Sequence, residues 1–450
     1  MQTLIMVGQF ILSLSILIFI HELGHFLAAK MFKTRVDKFY LFFDFMFPLS
    51  NVLNFALFKK KIGDTEYGLG WFPLGGYVSI AGMIDETTDK EALSKEPEPW
   101  EYRSKKNWQK MIIIMGGIIF NIIFAFLIFF SLLKFSKKEY VTAESLKNGG
   151  MTFTEPAKKF GFQDGDYIVN VNGNEVERID DLIHSSVLFG GYYTVLRKDS
   201  LGNSQTLKLD MPKDFFKTLR FGPLFFPKYH YIKVEKVASG INQSVIHRDD
   251  IILNINDKPI DNFEILFTTL DSLRNQNVKM QVKRNEKIMD LSIKVDTAGK
   301  VGFIPGFIPH YDKYALKPYD VFASIKFGFY DCWKTFYIQV LSFKKMGSGE
   351  MDIKENVGGP IKMAQMFGYD WNWLRFWSLT ALISMGLAFM NALPIPALDG
   401  GHAIVILFEM ITGKKVSDKV LSILQTIGTI MVLALMIYVF YLDGSSLMKK

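Results

Sequence analysis

His21-Glu22-Leu23-Gly24-His25 sets two imidazoles four residues apart, a spacing that on a helix brings both to one face, where they can share a Zn2+ ion. Glu22, beside the first imidazole, can take a proton from a water that the metal activates and return it to a leaving amine, which is the chemistry of peptide hydrolysis. HExxH alone recurs in many unrelated chains. Here it closes an apolar stretch, where three ionisable groups are costly to keep without a role; the plainer alternative is a set of satisfied polar residues at the end of a span. A catalytic zinc needs a third protein ligand, so another His, Asp or Glu is expected in or beside a different apolar span. Asp399 is the candidate, within Asn391-Ala392-Leu393-Pro394-Ile395-Pro396-Ala397-Leu398-Asp399-Gly400-Gly401-His402. Pro394 and Pro396 would break a helix there, and Gly400 and Gly401 would let backbone approach the metal closely. Taken alone, that segment could as well be a membrane-adjacent loop. Cys332 is the only cysteine, so neither an intrachain disulfide nor a thiolate zinc site can form. His184, His230, His247 and His310 fall in a polar region where surface or satisfied positions are expected, and His402 is left without a role.

These groups need elements to hold them, and the composition says of what kind. Of 450 residues 49% are hydrophobic and 15% aromatic, with a mean hydropathy of +0.16, above what the charged surface of a water-soluble domain allows. Charged residues still make up 22%, so apolar spans must alternate with sizeable water-exposed modules. Four stretches approach the roughly 20 residues needed to cross a bilayer: about 4–29, about 111–133, about 376–393 and about 420–442. The first lacks a basic leader and a small-residue cleavage site, so it is expected to be a retained span rather than a signal peptide. Lys30, Lys33, Arg35 and Lys38 follow the first stretch, Arg103, Lys105, Lys106 and Lys110 precede the second, and Lys414, Lys415 and Lys419 join the last two. By the positive-inside rule these connections face the cytoplasm, and both termini and residues about 140–370 the other side. Lys134, Lys137, Lys138, Lys449 and Lys450 run against that bias. The net charge of +7 gathers beside apolar stretches without the basic, aromatic-interleaved runs of a nucleic-acid surface, so nucleic acid is not an expected partner and membrane lipid is.

Between the first two stretches, residues 65–78 form an aromatic, Gly-punctuated run (Thr65-Glu66-Tyr67-Gly68 through Gly75-Gly76-Tyr77-Val78) that suits a β-hairpin or re-entrant loop better than a helix, the alternative being an interfacial loop. Residues 141–310 carry alternating strand patterns and an internal repeat. The segment 163–173 (QDGDYIVNVNG) matches 247–257 (HRDDIILNIND) in an acidic turn, an apolar strand and an Asn-containing hairpin turn, so two similar small β domains are expected in tandem. The stretch of about 318–346 opens on Pro318 and mixes aromatics with charges, which fits an amphipathic helix on the membrane surface, or else a core helix of the soluble region.

The residues around the two motifs resemble the site-2 protease family of intramembrane metalloproteases, which joins HExxH in one span to N-x-x-P-x-P-x-x-D-G in a later one; Asn391, Pro394, Pro396, Asp399 and Gly400 fill its fixed positions. The resemblance extends to Glu66-Tyr67 with 73–78, to Gly117 and Asn121 as a G-x-x-x-N pair, to Gly359-Pro360-Ile361, and to the repeats, whose strand-turn signature is similar to that of PDZ domains. It implies a polytopic α-helical membrane protein with four transmembrane helices, a membrane-reentrant β-hairpin over about 65–82, and two tandem PDZ-like α+β domains. Its parts would be 1–139 with the first two helices, 140–228 and 229–310 as the PDZ-like pair, 311–370 as surface helix and connector, and 371–450 with the last two helices. It also implies a metalloendopeptidase of the bacterial cytoplasmic membrane, with Zn2+ on His21, His25 and Asp399, Glu22 as proton shuttle, and the site near the cytoplasmic side. Gly75, Gly76 and Tyr77 would pair with unwound substrate; Asn391, with Pro394 and Pro396, would hold its backbone, unless Asn391 is a cap between broken helices. Expected substrates are transmembrane proteins such as a membrane-tethered anti-sigma factor or leftover signal peptides, admitted by size through the PDZ-like pair. The rival readings are a membrane-anchored zincin cutting outside the bilayer and a non-catalytic PDZ scaffold with a structural zinc.

Overall fold

A computed structural model describes residues 2–44, 54–73, 75–83, 96–135, 139–147, 151–183, 191–199, 202–212, 224–227, 230–237, 240–309, 314–349, 351 and 358–448. Leu74, His184 and His310, and Lys137, Lys138, Lys449 and Lys450 of the charge pattern, lie outside them. The chain divides into two compact units, one of Met1–Lys138 with Tyr319–Lys450 and one of Glu139–Pro318.

The first unit opens with α1 (Gln2–Met31), and four described helices in it are long and apolar enough to cross a membrane: Thr3–Met31, Asn107–Phe135, Trp373–Ala392 and Lys419–Ser445. After α1 come β1 (Val36–Leu41), β2 (Ala56–Ile62), β3 (Thr65–Gly70) and β4 (Tyr77–Ile80), in the order β2-β3-β1-β4. The hairpin expected over 65–82 is therefore not what forms: β3 turns back on β2 through Gly63 and Asp64, and β1 lies between β3 and β4, parallel to one and antiparallel to the other. Tyr40 of β1 explains the insertion. Its ring occupies the space where a Cβ on Gly68 of β3 would be and stacks on Tyr77 of β4 at 5.2 Å. The next helix, α2 (Asn107–Phe135), meets α1 at two glycines: a Cβ on Gly116 would stand 2.6 Å from the Gly24 carbonyl oxygen, so the backbones touch directly, as small residues allow between apolar helices.

The second unit is framed by β5 (Glu139–Val141) with the strand that ends it, and contains β6 (Met151–Phe153) and the short α3 (Glu155–Lys158). Its first repeat runs β7 (Tyr167–Val171), β8 (Asn174–Glu175), α4 (Ile179–Ile183), β9 (Gly191–Lys198) and β10 (Ser204–Met211), followed by β11 (Phe225–Pro227), which pairs with β6. After β12 (His230–Val237) the second runs β13 (Ile251–Ile255), β14 (Lys258–Pro259), α5 (Phe263–Ser272), β15 (Asn277–Arg284) and β16 (Lys287–Lys294), then β17 (Phe303–Pro309) and β18 (Leu316–Pro318), which pairs with β5. The sheets order as β10-β9-β7-β8 and β16-β15-β13-β12-β17, with β14 on β13, so the two copies share one strand, hairpin, helix and strand-pair sequence.

Their polar fastenings also match. The Asp166 carboxylate accepts from the Gln163 N–H at 2.9 Å and from Arg197 at 2.7 Å; that of Asp250 accepts from the His247 N–H at 2.9 Å and from Arg284 at 2.6 Å. Asn172 and Asn256 both have left-handed φ (53° and 46°) in the hairpin turn, and both side chains accept from a strand N–H, of Tyr192 and Lys279, at 2.9 Å. The core of the second copy is fully closed at Ile232, Val234, Ile252, Met280 and Val282.

Back in the first unit, α6 (Val321–Gly347) starts later than expected. Pro318 belongs to β18, and the helix is capped by Asp320, whose carboxylate accepts from the Ala323 N–H at 2.7 Å. It packs on α2 at Gly328, where a Cβ would be 3.1 Å from the Phe130 nitrogen. Then come α7 (Pro360–Phe367), α8 (Trp373–Ala392), α9 (Asp399–Thr412) and α10 (Asp418–Met448). Buried hydroxyls stitch these helices: Ser13 meets Thr380 at 2.9 Å, and Ser384 donates to the Asn121 carbonyl at 2.8 Å.

Candidate metal centre

The turn of α1 that carries the two histidines brings their Nε2 atoms to 3.3 Å, with the rings edge-to-face at 84°. Asp399, the first residue of α9, puts Oδ2 at 3.4 Å from His21 Nε2 and 3.3 Å from His25 Nε2. Three donors about 2.0–2.1 Å from one ion at tetrahedral angles would stand roughly 3.3–3.4 Å apart, so the triangle has zinc dimensions. Asp399 Oδ2 is buried without a hydrogen-bond partner, an arrangement too costly to leave unmatched and one that a cation satisfies. Nitrogen and carboxylate donors suit Zn2+, and these are the residues among those described that could hold it.

The other ring nitrogens fix the tautomers. His25 Nδ1 lies 2.9 Å from the Ile113 carbonyl, which only accepts, so the proton is on Nδ1 and the lone pair on Nε2 faces the triangle. His21 needs the same tautomer to turn Nε2 to the triangle; its ring lies against Gly117, and the Asn121 amide lies 3.3 Å from its Nδ1. With the proton on that nitrogen, it is Oδ1 of Asn121 that belongs beside it, an orientation that also gives this otherwise partnerless buried oxygen a donor. Gly117 makes room: a Cβ there would be 2.5 Å from both His21 Cε1 and His25 Nε2.

The segment before Asp399 is a folded turn. α8 ends at Ala392, and the Leu398 N–H donates to the Ile395 carbonyl at 3.0 Å across Pro396 and Ala397. Proline second and φ of 79° third are the marks of a type II turn, here with alanine where glycine is usual. Gly400 and Gly401 let the start of α9 lie against this segment: a Cβ on Gly400 would strike the Ala392 carbonyl at 2.6 Å, and one on Gly401 would come 2.8 Å from Pro396 Cα.

A cavity of about 430 Å3 opens onto the triangle. Gly75, Gly76 and Tyr77 line it, as do Asn391 and His402; Pro394 and Pro396 do not. Gly76 passes close to Glu22, a Cβ there being 3.5 Å from Glu22 Cγ. Burial, with the Asp44 carboxylate that accepts from its hydroxyl at 3.0 Å, pushes the Tyr77 phenol well above its ordinary range, so it stays a donor. Gln425 and Thr429 of α10 also line the cavity; the sequence signal for them was two polar residues one turn apart in an apolar stretch.

The family model for peptidase family M50 matches residues 9–435. Over 472 residues the chain is 24% identical to the Protease RseP of Yersinia pestis, covering 99% of this chain and all 100% of that protein. It is 26% identical over 478 residues to the Regulator of sigma E protease of Haemophilus influenzae, covering 97% and 98%. A Clostridium acetobutylicum relative whose name contains the words zinc metalloprotease is 27% identical over 435 residues, covering 96% and 95%. A match that runs almost from end to end, on a chain with four helices able to cross a membrane, means that this chain belongs to peptidase family M50, as a multi-pass, zinc-dependent metalloprotease of the site-2 type.

Proposed function

We propose that the chain hydrolyses peptide bonds within the transmembrane segments of single-span proteins, with His21, His25 and Asp399 holding the zinc and Glu22 carrying the proton. The observation that carries this reading is the triangle of donor atoms 3.3–3.4 Å apart, with Asp399 Oδ2 unpartnered, at the end of an apolar helix. Zinc held there supplies Lewis acidity, polarising a carbonyl and making water a better nucleophile. Glu22, in the wall of the cavity beside the three donors, takes the proton of the attacking water on its carboxylate and delivers it to the leaving amine.

A helical substrate hides its carbonyls in its own hydrogen bonds and must unwind before attack. Among the described residues β4 ends the sheet order, with Gly75, Gly76 and Tyr77 beside the cavity, and its outer edge is where an extended substrate adds as a strand. Asn391 holds the substrate backbone near the metal, while Pro394 and Pro396 shape the segment that leads from α8 to Asp399. The repeats of the second unit are PDZ-like domains that admit substrates by size, a reading supported by their common strand and helix order. The relatives named for regulating sigma E make a membrane-bound anti-sigma factor the leading substrate class, with remnant signal peptides the other. The lysine distribution supports a bacterial cytoplasmic membrane setting, with the PDZ-like unit on the outer side and the site near the cytoplasmic side.

The test is incubation of purified protein in detergent with a model transmembrane substrate, comparing wild type, Glu22→Gln and a zinc chelator, with cut sites read by mass spectrometry. Cleavage inside the apolar segment, abolished in both controls, is expected. Cuts only outside that segment would favour a surface-acting zincin, and undiminished cleavage by Glu22→Gln would remove the proton-shuttle role. Deleting 139–318 should let untrimmed full-length substrates through, and unchanged selectivity would end the filter idea.

A further inference from the structure

An extended peptide has two hydrogen-bonding edges, and β4 can satisfy only one of them. The N–H and C=O groups of the other edge would be stranded in apolar surroundings, where unpaired backbone is heavily penalised. One face of α10 carries what that edge lacks. Gln425, Thr429, Val432 and Met436 recur at helical spacing and all line the cavity that holds His21, Glu22 and Asp399. The rotation of α10 is pinned at two points. Gly428 sits against the Pro396 carbonyl with no room for a Cβ, and the buried Asp443 carboxylate accepts from the N–H groups of Gly359 at 3.0 Å and Ile361 at 2.8 Å. Several hydroxyls in these apolar helices are satisfied by their own helix, Ser15, Ser378, Thr412 and Thr426 each donating to the carbonyl four residues back at 2.7–2.8 Å, and Ser13 and Ser384 are satisfied by a neighbouring helix. Thr429 makes no such bond, and the Gln425 amide pairs with none of the described residues, although both side chains are half-buried.

We propose that Gln425 and Thr429 are substrate-positioning residues that pair with the second edge of the unwound substrate, so that the peptide is held on one side by β4 and on the other by α10. This rests on the reading of the chain as a protease of transmembrane segments. A glutamine amide donates and accepts, and a hydroxyl does both, which suits the mixed edge of a peptide of any sequence and selects for unwound backbone rather than for particular side chains.

The experiment uses the full zinc-loaded chain in detergent and a synthetic transmembrane peptide, with single amide-to-ester replacements that delete one backbone N–H at a time on either side of the cut. Wild type should lose roughly tenfold in kcat/KM at one or two ester positions, and Gln425→Leu/Thr429→Val should lose a comparable factor on the all-amide peptide. The same esters should then cost that double variant nothing more, whereas a merely structural role would leave the ester penalty intact. Thr429→Ser should restore the hydroxyl's share, and zinc content should match wild type throughout. If the double variant cleaves the all-amide peptide at the wild-type rate, or every ester penalty seen with wild type persists in it, the proposal is overturned while the protease reading stands. Cuts only outside the apolar segment of the peptide would overturn both.

Discussion

A methyl group on Gly117 would stand 2.5 Å from Nε2 of His25, so α2 meets the imidazole pair with bare backbone. Gly117→Ala should push one or both rings out of the triangle and weaken zinc binding by about 10- to 100-fold, the usual effect of disturbing groups that orient metal ligands. Alanine favours a helix over glycine by about 1 kcal/mol, so the loss would not come from α2 unwinding. Zinc affinity measured against a competing chelator checks this, and an unchanged value would mean that the histidines yield at no cost.

Asn121 tests the tautomer argument. If Oδ1 of Asn121 faces a protonated Nδ1 of His21, Asn121→Asp keeps an acceptor there and should retain zinc. Asn121→Leu removes the acceptor and should cost roughly tenfold or more in affinity. Equal behaviour of the two variants would mean that Asn121 does not fix the tautomer of His21.

The residue types for the metal were legible in the sequence because ligation demands them, and helical spacing ties His21 to His25 without any knowledge of the fold. What lies across from them was not. Gly117 was visible only as half of a motif pair, since a glycine's role depends on what approaches it, and here the approach comes from a helix whose sequence is separated from His25 by the whole β1–β4 sheet. The hairpin expected over 65–82 failed for a similar reason: a local pattern shows that 65–70 and 77–80 are strands but not that Tyr40 brings β1 between them. The motif spacing of Pro394 and Pro396 does not show their surroundings: neither lines the cavity, and Pro396 belongs to a turn. The repeat in the second unit was legible because its turn residues, Asp166 and Asp250 with Asn172 and Asn256, have local geometric jobs that only a few residue types can do.

Those acidic turn residues make the next prediction. Asp250 is fully buried and Asp166 likewise, each fastened by one arginine, Arg284 or Arg197. Arg284→Ala leaves a buried carboxylate without its countercharge and should destabilise the second repeat by about 3 kcal/mol or more. Arg284→Met with Asp250→Asn should recover much of that, because the amide still accepts from the His247 N–H. Hydrogen exchange of β13 and β15 in the full chain is the readout. Similar protection in the single and double variants would mean that the pair contributes little.

Asp443 makes a different prediction, because it lies in an apolar helix yet is only 1% exposed, with its carboxylate accepting from two backbone N–H groups at the start of α7. Asp443→Ala strands those two donors, at about 1–3 kcal/mol each, and loosens the end of α10 nearest α7. The metal triangle involves no residue of α10, so zinc should stay bound at wild-type affinity while cleavage falls roughly tenfold, a step of about 1.4 kcal/mol, and amide exchange at Gly359 and Ile361 accelerates. Asp443→Asn keeps one acceptor oxygen and should fall between. Loss of zinc in parallel with activity would show that α10 supports the metal site itself rather than the wall of the substrate cavity.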